Sequence, residues 1–193
     1  LDSEGKLRSF DHWAYPAFAL MRDAVHGRAE LLAVSLADRV DLTYASDQEM
    51  EKAYLQYVSG ALFGSFGLSP ALGRLLSPAD DQQPGAHPLA VLSHDYWTRR
   101  FAADPSVVGR KVRIGETFYQ IIGVVQAPFT GTEPGTMTDI FVPTMMHPYA
   151  VKDDATWHRI LARVQPGVPL EPLRAKLDAV FRAFEENRAR GFS

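Results

Sequence analysis

The stretch that organises this sequence runs from Phe63 to Arg110 and reads FGSFGLSPALGRLLSPADDQQPGAHPLAVLSHDYWTRRFAADPSVVGR. Glycine and proline recur through its first half, from Pro70 to Pro88, which predicts a loop. The short apolar run Leu89–Leu92 that follows predicts a buried strand. Residue chemistry alone therefore indicates a compact, turn-rich segment with no evident catalytic set.

The second half of this stretch predicts a helix that starts after Ser93. The Ser93 hydroxyl can accept a hydrogen bond from a free amide of the first turn, and Asp95 suits the positive end of the helix dipole. Trp97 and Phe101, four residues apart, are predicted to anchor the helix to the core. Ser93, His94 and Asp95 are not interpreted as a catalytic triad, because consecutive helical side chains diverge by about 100°.

Composition limits the class of protein. The chain has 193 residues, is 46% hydrophobic and 22% charged, and carries a net charge of −3, which predicts a globular protein without a basic field for nucleic acid. It has no cysteine, so disulfides and thiolate metal sites are excluded. No apolar run is long enough to cross a membrane. Because the chain starts at Leu1 and not at Met, we expect it to be a piece of a longer protein.

The N-terminal part predicts one helix and then strands. Apolar residues between Ala14 and Val25 recur at helical spacing, with Pro16 suited to the first turn and Gly27 to the stop. Residues 30–44 predict one strand or two, and Met50 to Ser59 alternates as a further strand.

The C-terminal part predicts a hairpin, two strands and a long helix. Gly115-Glu116 divides the segment from Arg110 to Val125 and suits a type II′ turn. Short strands are predicted at Asp139–Pro143 and Trp157–Val164. An apolar stripe then predicts the strongest helix of the chain, on Leu170, Leu173, Leu177, Val180 and Phe184.

The order of motifs resembles the MacB-like periplasmic core domain of ABC-type permeases, a family that also holds FtsX-like and LolC/LolE-like transport proteins. The motifs that carry the resemblance are Phe66–Arg74, Ala79–Asp81, Ala90–Ser93, Tyr96-Trp97, Arg100-Phe101 and Asp104–Arg110. The resemblance extends from Tyr15 to about Phe184. The positions interpreted as structural motif residues are Tyr15, Pro16, Gly67, Pro70, Gly73, Arg74, Trp97, Phe101, Gly109, Arg110, Gly123 and Pro143.

The order of elements and the resemblance imply an α+β fold in two parts. A Porter-like α/β subdomain is expected from both chain ends, about 10–58 and 155–190. A mixed α/β, sabre-like subdomain is expected between them, about 59–154.

The polar motif residues are interpreted as architectural. Glycine in Gly73-Arg74 and Gly109-Arg110 is expected to supply an unusual backbone angle, and arginine a hydrogen bond to nearby carbonyls or carboxylates. Asp80-Asp81 is predicted to be a solvated turn and not a magnesium site or an acid pair, because no phosphate-binding loop or second acidic cluster accompanies it.

The resemblance implies the extracytoplasmic domain of an ABC transporter permease, on the periplasmic side of the bacterial inner membrane, and not an enzyme. No catalytic, cofactor or metal residues are expected in this domain, since ATP and Mg²⁺ would be bound by a cytoplasmic ABC ATPase. The implied role is to couple movement of the parent chain's membrane helices to a periplasmic substrate or adaptor. The domain itself is expected to be monomeric or weakly dimeric.

A second hypothesis is a small-molecule site. A cleft between the two subdomains could bind an amphiphile or peptide, and would then be lined by Trp97, Phe101, Phe129 or Trp157.

Overall fold

A computed structural model describes residues 12–44 and 50–191. In this part of the chain there are four helices, α1 Tyr15–Ala24, α2 Leu62–Ser65, α3 His94–Phe101 and α4 Leu170–Arg190, and nine strands, β1 Ala29–Ser35, β2 Asp38–Thr43, β3 Met50–Val58, β4 Pro70–Gly73, β5 Leu89–Leu92, β6 Lys111–Ile114, β7 Thr117–Val125, β8 Ile140–Pro143 and β9 His158–Val164. The mixed α/β architecture confirms the predicted fold class.

The chain divides into two compact units. The first unit combines the two chain ends, up to Ala33 and from Val151, and the central unit is Val34–Ala150. In the N-terminal half of the chain the boundary between the units follows Ala33, whereas it was expected near residue 58. Strands β2 and β3 lie in the central unit because β2 pairs with β6, and β3 pairs with both β2 and β8.

The first unit is built on the packing of α1 against α4. Phe18 and Met21 of α1 are buried in one cluster with Leu31 of β1 and Leu173 of α4. The predicted helices are confirmed, with Pro169 at the N-cap of α4. The predicted stripe on α4 is wrong at its first position, since the helix has only just begun there and Leu170 is 66% exposed.

In the central unit, hydrogen-bonded strand pairs form a closed circuit of six strands. The order is β2-β6-β7-β5-β8-β3, and β3 pairs again with β2. Alternate residues of such strands face inward. The buried core on the inner face includes Leu42, Ala53, Leu55, Val112, Tyr119, Ile121, Ile140 and Val142.

One local prediction for the central unit is confirmed and another is wrong. The β6–β7 hairpin is confirmed, and Gly115 has a positive φ of 58° whereas Glu116 does not, as a type II′ turn requires. The segment from Pro70 to Gly73 is wrong as a loop, because it forms β4 by pairing with the distant β7. Among the helices that the structure describes, none is long and apolar enough to cross a membrane.

Candidate functional site

The first group of motif residues lies where β4 pairs with β7. Gly73 lies directly opposite Gly123 and has a φ of 65°. A Cβ on Gly73 would overlap the carbonyl oxygen of Ile122, and a Cβ on Gly123 would overlap that of Arg74. Glycine at both positions therefore allows the two backbones to approach this closely, and fixes the point where Arg74 leaves the strand.

Arg74 forms a two-bond ion pair with Asp80. Its Nη1 and Nη2 lie 2.7 Å and 2.9 Å from the two carboxylate oxygens. The Ser77 amide and hydroxyl donate to Asp80 Oδ2 at 2.9 Å and 2.8 Å. The hydrogen bonds from Arg74, with those from Ser77, outweigh burial and lower the pKa of Asp80 to about 2. The Asp80 side chain is 10% exposed and that of Arg74 53%, so the pair is a covered carboxylate under a half-exposed guanidinium.

Asp81 joins three separate segments of the central unit. Its Oδ2 accepts from the Gly60 amide at 3.0 Å and from the Thr144 hydroxyl at 2.6 Å. Its Oδ1 accepts from the Met145 amide at 2.7 Å. The prediction of a solvated turn at Asp80-Asp81 is therefore wrong. Both carboxylates are occupied by internal donors. The donors to Asp81 come from 21 to 64 residues away, beyond the reach of a local sequence pattern.

A second network, the tyrosine network, joins α3 to β3 and to Tyr44, the residue after β2. The Tyr96 hydroxyl donates to Glu51 Oε1, and Arg100 Nε donates to Glu51 Oε2 at 2.6 Å. Since Tyr96 gives its single proton to Glu51, the Tyr44 hydroxyl, 3.1 Å away, donates to Tyr96. Burial is the main cause that raises the pKa of both Tyr44 and Tyr96 above the usual value. The two phenols therefore stay protonated and act as donors.

The buried residue of α3 is Tyr96, whereas Trp97 and Phe101 were predicted to anchor the helix. Trp97 and Phe101 are partly buried and pack beside the same core. Trp97 Nε1 donates to the Asp104 carbonyl at 2.9 Å, and Phe101 meets Tyr44 edge-on at 5.0 Å.

Glu51 was missed although the sequence carries a signal for it. It lies in phase with the inward-facing Ala53 and Leu55 of β3. A carboxylate on the inner face of a strand needs hydrogen-bond donors or a cation beside it. Its position in the strand pattern therefore indicated a buried polar network.

The Asp104–Arg110 motif forms a turn on the surface. Asp104 accepts from the Ser106 amide at 2.9 Å and from the Ser106 hydroxyl at 2.7 Å. Arg110 Nη2 lies 2.6 Å from Asp104 Oδ2, and Gly109 has a φ of 92°. Hydrogen bonds from Ser106, with the charge of Arg110, lower the pKa of Asp104. The residue types match those around Asp80, but here they are exposed.

The remaining motif positions do not converge on one place. Tyr15 and Pro16 form the first turn of α1, Gly67 follows α2 with a φ of 65°, Pro70 begins β4, and Pro143 ends β8 opposite Val58. Each position lies at the start or end of an element of secondary structure or, like Gly67, just beyond it.

The residues considered for catalysis or ligand binding do not form a common site either. The Ser93 hydroxyl accepts from the Tyr96 amide at 3.2 Å, as a helix cap does. Within residues 12–44 and 50–191, no group of three or more His, Asp or Glu side chains could hold a metal ion. Of the aromatic residues considered for a cleft, Phe129 packs on Phe141, with ring centroids 5.5 Å apart. Trp157 stacks on Tyr15 in the first unit, with centroids 6.4 Å apart.

Comparisons with known proteins show which family this fold and these motifs belong to. The sequence profile of the MacB-like periplasmic core domain family matches residues 8–180. No curated protein matches the sequence significantly.

Solved structures with the same fold include the following three. The periplasmic region of MacB from Actinobacillus actinomycetemcomitans has 14% identity and a TM-score of 0.65, over 95% of this chain and 79% of that one. A domain of a putative permease protein from Porphyromonas gingivalis has 18% identity and a TM-score of 0.65, over 94% and 76%. The extracellular domain of the noncanonic ABC-type transporter YknZ from Gram-positive bacteria has 14% identity and a TM-score of 0.64, over 94% and 87%. The chain belongs to the MacB-like periplasmic core domain family and is a periplasmic domain of a MacB-like ABC transporter permease.

Proposed function

We propose that this chain is a transmission domain of its permease. ATP hydrolysis by a cytoplasmic ABC ATPase would move the membrane helices of the parent chain. That movement would displace the first unit against the central unit, and this displacement would act on a substrate or adaptor on the periplasmic side of the bacterial inner membrane. The domain itself would carry out no catalysis, and ATP and Mg²⁺ would bind only to the ATPase.

The observation that supports the proposal most directly is that both ends of the chain fold into one unit. The buried side chains of Phe18 and Met21 share a cluster with Leu173 of α4. Trp13 meets Phe181 of α4 edge-on, with ring centroids 4.5 Å apart. Because a close-packed interior transmits strain, a displacement applied at either end would act on the same body.

The central unit has the features of a body that passes a displacement on without absorbing it. Its six-stranded circuit is closed by the β2–β3 pairing. The Arg74–Asp80 pair and the three bonds to Asp81 join segments outside the strands. Such internal bonds raise the energy needed to separate these segments.

The connection between the units offers a test. The chain passes between them within β1 and again after Ala150, where residues 151–154 are exposed. Insertion of Gly-Ser-Gly-Ser between Asp153 and Asp154 of the full-length transporter would lengthen one connection. We expect transport to fall while ATP hydrolysis by the reconstituted complex persists.

A matched control is the same insertion between Gln82 and Gln83, in an exposed loop inside the central unit. This variant should transport normally. Undiminished transport by the variant with the longer connection would refute the transmission role.

A further inference from the structure

The central unit carries a shallow basic hollow. Its volume is about 390 Å³, and it is lined by Arg39, Lys52, Tyr54, Arg99, Met137 and Asp139. Arg39 lies opposite Tyr54, and Lys52 lies opposite Asp41, in the β2–β3 ladder. Side chains at alternate positions of a strand share one face, so Arg39, Lys52 and Tyr54 all project outward from the closed circuit of strands.

All three cations of the basic hollow are exposed, although Lys52 and Arg99 already pair with a carboxylate. Arg39 is exposed, and among residues 12–44 and 50–191 no ion pair or hydrogen bond of its guanidinium is found. Lys52 pairs with Asp41 at 2.6 Å, but both side chains are exposed, and such surface pairs contribute little. Arg99 binds Asp139 through Nη2 at 2.9 Å, and its side chain is 61% exposed.

Exposed apolar side chains accompany these cations. Tyr54 and Met137 lie in the basic hollow itself. The same outward face continues along β3 to Met50, and through the cross-strand neighbours Thr43 and Arg113 to Phe118. Both Met50 and Phe118 are exposed. Exposed cationic and apolar side chains thus occur together on the outward face of these four strands.

We propose that the basic hollow binds an extended acidic segment of a partner protein. Carboxylates of the segment would pair with Arg39 and Arg99, because a guanidinium binds a carboxylate through two parallel bonds. Its apolar side chains would lie on Tyr54 and Met137. Lys52 and Tyr54 lie two residues apart on β3, which is the spacing of side chains on one face of an extended peptide.

The charges favour a protein segment over an anionic lipid surface. An extended segment can place its carboxylates beside Arg39 and Arg99 and uncharged side chains beside Asp41 and Asp139, whereas a continuous layer of headgroup phosphates would be repelled by these two carboxylates. The chain as a whole has a net charge of −3, so general attraction to anions does not explain binding here. The inference rests on the proposed function for the identity of the partner as a periplasmic protein, but the isolated chain can test it without membrane or ATPase.

The test is calorimetric titration of the 193-residue chain with a capped peptide, Glu-Ser-Leu-Ser-Glu-Ser-Phe-Ser-Glu, at low salt. In its extended form this peptide presents the Glu, Leu and Phe side chains on one face. Wild-type protein should bind this peptide, and should not bind the peptide with Gln in place of Glu. Arg39→Glu should weaken binding about tenfold, because it replaces an attraction with a repulsion. Arg182→Glu makes the same charge change on an exposed residue of α4 and should leave binding unchanged.

Three results would overturn the proposal. The first is no binding of the acidic peptide by a protein that circular dichroism shows to be folded. The second is equal weakening by the two substitutions, which would mean long-range attraction and not a site. The third is binding to vesicles that contain phosphatidylglycerol but not to the peptide, which would assign the basic hollow to a lipid surface.

Discussion

Substitution of Asp80 by asparagine tests whether the Arg74–Asp80 pair stabilises the central unit. The pKa of Asp80 falls from 3.8 to about 2, and a shift of this size corresponds to about 2 kcal/mol of folding free energy. Solvent screens the half-exposed Arg74 guanidinium, so we expect Asp80→Asn to lower the free energy of unfolding by about 1–2 kcal/mol at pH 7.

The pH dependence of the effect has a definite sign. The folded-state pKa of Asp80 lies below the unfolded value, so its contribution is complete above about pH 5 and is lost as the pH falls towards 2. The stability difference between wild type and Asp80→Asn should therefore shrink between these limits.

Urea titrations of both proteins at several pH values, followed by intrinsic fluorescence, measure this difference. Trp97 reports on the same unit as Asp80. Asp104→Asn is the matched control, because Asp104 also accepts from an arginine and a serine, Arg110 and Ser106, but lies on the surface. This substitution should change stability much less. Equal stability of Asp80→Asn and wild type at pH 7, or a difference that does not vary with pH, would refute the reasoning.

Three further outcomes are expected. In thermal unfolding, Gly123→Ala should lower stability by about 2–3 kcal/mol, because the added methyl group would overlap the Arg74 carbonyl. Gly67 has a positive φ but has open space around it, so Gly67→Ala should lower stability by only about 1 kcal/mol in the same assay. Tyr96→Phe should cost about 1–3 kcal/mol in urea unfolding, since Glu51 loses a buried donor, and an unchanged midpoint would show that the tyrosine network contributes nothing. Light scattering at micromolar concentration should give a monomer or a weak dimer, because the apolar stripes of the sequence are needed for the core; a dimer that resists dilution would contradict this expectation.

The sequence predicted the elements whose signal is local. The Ser93 cap, the Gly115 turn and the spacing of apolar residues on α4 each depend on residues within a few positions of one another. The family resemblance added the α+β architecture, which no periodicity could supply.

Features that depend on distant partners could not be predicted in this way. Strand β4 exists only because it pairs with β7, about 50 residues later. The local sequence predicts a solvated loop residue at Asp81, because its donors Gly60 and Thr144 are distant in the chain and come close only in the folded protein. The closed circuit of strands likewise requires β3 to pair on both sides, which the alternation of its side chains does not reveal.

The most direct test of the transmission role is a distance measurement in the full-length transporter. One spin label would replace Arg174, exposed on α4, and the other would replace Gln82 in the central unit. Our account predicts that the distance distribution of this pair changes between the nucleotide-free and ATP-trapped states. A control pair at Gln82 and Lys111, both in the central unit, should not change. Identical distributions for the first pair in both states would contradict the account.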